Sequence, residues 1–129
     1  MIPLQFSAHE ADQHIMWKKD GLEVDQWTES LGFIAEELAL LIGLADRYLK
    51  DADLRARLLE KRRGNIFLTG ELFRYENAMK NALECEDLAC DTFYLDNHEE
   101  QRIQYLGHLQ GYRQLKMELY SKLLQSRED

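Results

Sequence analysis

Two histidines, a glutamate and an aspartate fall within eight positions in SAHEADQH, residues 7–14. Imidazole and carboxylate groups of this kind bind first-row metal ions. Helical geometry separates them, however: His9 and His14 are five residues apart and point about 140° away from each other, so they do not share an ion. Only Glu10 and His14 have same-face spacing. Ser7 and Glu10 have the Ser-x-x-Glu spacing of a capping box, in which hydroxyl and carboxylate each satisfy a backbone amide at a helix start.

The stronger metal candidates are polar residues inside otherwise apolar stripes. Asp20 and Glu86 are two such residues, and with His108 they form a candidate ligand set projecting into a helical bundle, with His14 or Tyr105 as additional donors. A di-iron carboxylate centre needs Glu-x-x-His on two helices, and no such tetrapeptide occurs in the chain. The remaining histidines, His9 and His98, read as exposed helix-end residues. Cys85 and Cys90 in CEDLAC match no common zinc spacing, and five residues apart on a helix they point away from each other, which prevents an intrahelical disulfide. Serine-hydrolase and phosphate-binding motifs are missing as well: no nucleophile elbow, Walker loop or dinucleotide fingerprint is present. The sequence therefore leans away from an enzyme and implies no cofactor. A metal-binding bundle with redox or hydrolytic activity is the alternative.

The elements that would position these residues are helical. The chain has 129 residues, 45% of them hydrophobic and 31% charged, with a single proline, which fits one all-α domain spanning residues 1–129. From Trp17 the apolar residues advance in steps of three and four through Val24, Trp27, Leu31, Ile34, Leu38, Leu41, Ala45 and Tyr48. This heptad pattern predicts a helix over about 7–49 with coiled-coil-like packing. LKDADL, residues 49–54, supplies a turn with Asp51 or Asp53 as the next cap. A second stripe runs through Leu54, Leu58, Asn65, Leu68, Leu72, Met79, Leu83, Glu86 and Phe93, predicting a helix over about 53–94. EKRRGN, residues 60–65, resembles a helix C-terminus, but the stripe continues in phase across it, which favours one helix with a weak point; a break near Gly64 would give four helices rather than three.

Asn97 followed by Glu100 suggests a capping box in YLDNHEEQ, residues 94–101, and a third helix over about 98–126. Its inner face reads Tyr105, Leu109, Tyr112, Leu119 and Leu123, widened by Leu106, Leu115 and Leu124. The other aromatics at helical spacing, including Phe73 and Tyr75, read as packing residues. Short connections between long helices give an antiparallel up-down-up bundle.

With the second turn at 94–101, the third helix ends before it reaches the tip of the first hairpin. That tip carries the apolar run LALLIGLA, residues 38–45, and needs a covering partner. The predicted interface is Leu40, Leu41, Ile42, Leu44, Tyr48, Leu54, Leu58 and Leu59. Acidic residues gather at the opposite end, among them Asp20, Glu23, Asp25, Asp96, Glu99 and Glu100, while the tip carries Arg47, Lys50, Arg55, Arg57, Lys61, Arg62 and Arg63. Opposite poles favour an antiparallel homodimer. A further protein partner would fit the acidic end.

A net charge of −8 disfavours nucleic acid and anionic membranes. The basic run RARLLEKRR reads as a solvated helix face, interrupted by Glu60 and preceded by Asp51 and Asp53. LALLIGLA is far shorter than the roughly 18–20 residues of a membrane span. The opening MIPLQF has no secretory character, so the expected location is cytoplasmic.

The segments NIFLTGELFRYENAMKNAL and DNHEEQRIQYLGHLQGYRQLKMEL give the chain a look similar to small uncharacterised bacterial helical-bundle proteins. That resemblance implies the bundle fold and carries over no catalytic residue. The expected function is non-enzymatic protein–protein association, with self-association through the hairpin tip.

Overall fold

A computed structural model describes the backbone of residues 4–82 and 88–126, and the side chains of 18–81 and 96–126. Three helices follow in order: α1, Leu4–Tyr48; α2, Ala52–Ala82; and α3, Leu88–Ser126. Among the described residues there is no strand.

The apolar steps of three and four become the buried seam. Val24, Trp27, Leu31, Ile34, Leu38, Leu41 and Ala45 of α1 pack with Leu54, Leu58, Leu68, Leu72, Tyr75 and Met79 of α2 and with Tyr105, Tyr112, Leu115 and Leu119 of α3. A leucine removed this fully from water contributes about 1.5–3 kcal/mol, which outweighs the small helix-propensity losses at the glycines the helices contain. Asp51 closes the first connection: its Oδ1 accepts the amide of Leu54 at 3.0 Å, the contact of an N-cap with the third residue of the helix.

Several sequence expectations change. The helix α1 begins at Leu4, so Ser7 lies inside it and not at a cap. Residues 60–65, by contrast, continue α2 without a break, as the in-phase stripe favoured, and the weak point at Gly64 does not end the helix. Residues 94–101 are helical, so Asn97 and Glu100 do not form a cap there. Asn-x-x-Glu is compatible with a helix interior as well as with a start, and packing decides between the two.

Cross-helix contacts define the resulting register. Arg57 Nη1 meets Glu118 Oε2 at 2.5 Å, His108 meets Asn65, and His98 meets Tyr75. Toward α1, His98 meets Glu23 and Lys116 meets Glu37. The ammonium of Lys122 reaches Asp51 itself. The third helix therefore extends to the hairpin tip, where the sequence reading left a gap. Leu41, Ile42, Leu54 and Leu58, expected at an intermolecular interface, are buried against their own chain. Leu44 and Leu59 are half-buried and pack on the same core, while Leu40 and Tyr48 remain exposed. Leu106 and Leu124, expected to widen the inner face of α3, point outward, as does Phe73 on α2.

Candidate functional site

Two arrangements stand out, a buried polar cluster and an apolar groove. The cluster is assembled from all three helices. On α1, Asp20, Glu23 and Trp27 succeed one another at steps of three and four and share a face. On α3, His98, Arg102 and Tyr105 do the same, and α2 contributes Tyr75. His98 is 4% exposed. Its Nε2 lies 2.6 Å from Glu23 Oε1 and 3.4 Å from Asp20 Oδ1, while its Nδ1 lies 2.7 Å from the Tyr75 hydroxyl. An ionised carboxylate only accepts, so Nε2–H donates to Glu23.

Arg102 Nη2 also donates to Glu23 Oε1, at 2.7 Å, and Nη1 reaches Glu99. Burial pushes the Glu23 carboxyl upward, but the hydrogen bonds from Arg102 and His98 outweigh it and hold the group below its ordinary value. The same contacts raise Arg102 further. Trp27 lies between two rings in near-parallel stacks, with centroids 5.4 Å from His98 and 5.3 Å from Tyr105. The His98 ring is thus fixed by a hydroxyl on one nitrogen, carboxylates at the other and an indole on its face.

Of the expected metal set, Asp20 is the member that the described residues place here. Glu86 lies outside the described residues, as do the side chains of His9 and His14. His108 sits ten residues beyond His98 on α3, about 15 Å along the axis, and contacts Asn65 instead. Tyr105 stacks on Trp27 and offers no ligand to the cluster in this arrangement. Glu23 and His98 are the residues that sequence reasoning missed. A turn at 94–101 made His98 a helix-end residue; once α3 runs through it, His98, Tyr105, Tyr112 and Leu119 form a strict seven-residue inner stripe.

The groove lies between the C-terminal parts of α1 and α3. Leu44, Tyr48, Tyr120, Leu123, Leu124 and Ser126 line a concave volume of about 480 Å³ that opens to solvent. It is continuous with an exposed stripe on α3, where Ile103, Leu106, Met117, Tyr120 and Leu124 are 63%, 52%, 61%, 38% and 69% exposed. With Gln110 and Arg113 these residues advance in alternating steps of three and four, a second heptad pattern on the solvent side of the same helix. A more polar groove of about 490 Å³ separates α2 from α3, lined by Arg57, Lys61, Gly64, Gly111 and Glu118 among others.

Part of the charge of the basic tip is compensated locally. Arg55 pairs with Asp46, Arg57 with Asp53 and Glu118, and Lys122 with Asp51. Among the described residues no helix is long and apolar enough to cross a membrane. Comparison with protein-family models, with curated proteins and with solved structures finds no match to the chain.

Proposed function

We propose that the protein is a non-enzymatic association module in which three helices run up, down, up and two copies pair antiparallel along α3, extending into the tip groove. The observation that carries this reading is the exposed heptad stripe Ile103, Leu106, Met117, Tyr120 and Leu124, which spans about 30 Å of helix. Its two apolar stretches, Ile103 with Leu106 and Met117 with Tyr120 and Leu124, flank Gln110 and Arg113, and exposed apolar patches of this kind mark interaction sites. The up-down-up course is supported by the order of contacts: Asn65 with Leu31, Arg55 with Asp46, and Arg57, Asn65 and Tyr75 with progressively earlier residues of α3.

A second copy fits the stripe for two reasons. In an antiparallel pair, Leu124 meets Ile103 of the other copy and Tyr120 meets Leu106, so each apolar half covers the other. The same orientation sets the acidic pole of one copy, with Asp20, Glu23, Asp96, Glu99 and Glu100, beside the tip of the other, with Arg47, Lys50, Arg62 and Arg63. Relative to the sequence expectation, the interface shifts from the hairpin tip to the outer face of α3, keeping Leu44 and Tyr48 at its edge.

Sedimentation velocity on the wild type and on a Leu106→Glu/Leu124→Glu variant tests the proposal. The wild type is expected at twice the chain mass at micromolar concentration, and the variant at one chain mass with unchanged helical circular dichroism. A wild type that sediments as a single chain overturns it.

A further inference from the structure

We infer that Asp20, Glu23 and His98 form a binding site for a first-row divalent cation of the Zn²⁺ class. Each of the three offers a ligand atom, and those atoms lie within 4.8 Å of one another. Metal–ligand bonds of about 2.0–2.2 Å place neighbouring donors roughly 3–3.5 Å apart in a tetrahedron, so small side-chain rotations suffice.

The donor set selects the class of ion. One imidazole and two carboxylates balance a double positive charge, and the nitrogen ligand favours zinc, iron or cobalt over magnesium and calcium, which prefer all-oxygen sites. Three protein ligands leave a coordination position for water. The surroundings of His98 are those of a held ligand. Tyr75 engages Nδ1 at 2.7 Å, so Nε2 is the nitrogen facing both carboxylates, and Trp27 braces the ring face. Partners of this kind orient metal-binding imidazoles and fix the tautomer.

Among the described residues, His98 and Arg102 engage these carboxylates without the ion, and both can release them. As the metal takes Nε2, the imidazole proton moves by way of solvent to Nδ1, which then donates to the Tyr75 hydroxyl oxygen, so the ligand stays a neutral imidazole. Arg102 releases Glu23 and keeps Glu99, which its other nitrogen already contacts at the exposed edge of α3. The site differs from the set expected from sequence, since His108 is held by Asn65 well away from it.

The test is Zn²⁺ titration by calorimetry of chelator-treated full-length protein, paired with Co²⁺ quenching of tryptophan fluorescence in a Trp17→Phe background, where Trp27 is the sole indole. One equivalent is expected to bind, with strong quenching of Trp27 because it stacks on the ligand ring. Asp20→Asn and Glu23→Gln are each expected to weaken binding at least tenfold, and both preserve side-chain shape if His98→Asn fails to fold. Binding should persist in His9→Asn/His14→Asn. Failure to bind overturns the inference, as does binding that survives Asp20→Asn and Glu23→Gln but is lost in the His9/His14 variant.

Discussion

His108 donates its Nε2–H to Oδ1 of Asn65, 2.9 Å away, and Asn65 in turn donates its Nδ2 to the carbonyl of Leu31 at 2.9 Å. One buried amide thereby ties the three helices at a single level, with Asn65 1% exposed. Replacing only one partner leaves the other polar group without its bond in a partly buried site, which costs about 1–3 kcal/mol, whereas removing both is close to neutral. Asn65→Leu is therefore expected to lower stability in urea by that amount, and Asn65→Leu/His108→Leu to recover most of it. Equal losses in single and double variants would show that the pair is not coupled.

The same pair makes stability depend on pH. Burial, aided by the nearby Lys61 ammonium, depresses the His108 imidazole below its ordinary 6.5. Between the depressed value and 6.5 the unfolded chain binds a proton that the folded chain does not, so falling pH favours unfolding. The contribution is fully present above 6.5 and lost as pH drops through the folded value. The stability difference between wild type and His108→Asn, measured in urea from about pH 7.5 to 5.5, should change in that direction. A difference that stays flat across the range would contradict the assignment. The carboxylates act lower: Glu118 is depressed by Arg57, Asp51 by Lys122, and Glu23 despite its burial, so their contributions fall away only as pH drops below their ordinary values of 4.5, 3.8 and 4.5.

Gly32 and Gly43 sit within α1, where an added Cβ meets nothing within 4 Å and no glycine has positive φ. Neither glycine is needed for close packing or for an unusual backbone. Gly32→Ala and Gly43→Ala should each raise stability by about 0.5–1 kcal/mol by restricting the unfolded chain. At Gly111 a Cβ would stand 2.8 Å from Lys61 Nζ, so Gly111→Ala must displace that side chain and should gain less. Urea midpoints of the three variants check the ranking.

The α1 seam and the α2 stripe up to Met79 were legible because long heptad patterns leave few alternatives. Asp51 was one of two candidates for the α2 cap, and its side chain makes the bond. The end of α2 and the start of α3 were not legible. Asn97 and Glu100 imitate a helix start, and no proline or glycine nearby argues otherwise; the competing signal was tertiary, since a continuous α3 brings His98 to Tyr75 and Glu23. That one misplacement hid the polar cluster and also left the hairpin tip uncovered. Asn65, a polar member of the otherwise apolar α2 stripe, lies between Leu31 and His108, a position from which a buried amide can fix register.

Leu58 separates these two registers experimentally. If α3 stopped short of the tip, Leu58 would be covered only by another copy, and Leu58→Ala would weaken association while sparing the isolated chain. With α3 packed along the tip, as the Arg57–Glu118 and Lys122–Asp51 contacts place it, Leu58 is 0% exposed within a single chain. Truncating it then removes buried methyl groups and leaves a cavity, at a cost of about 2–5 kcal/mol. Chemical denaturation of Leu58→Ala in the Leu106→Glu/Leu124→Glu background, where the proposed dimer contact is already lost, should show that cost in full. An unchanged midpoint in that background would instead mean that the tip is open and that the shorter reach of α3 is the correct one.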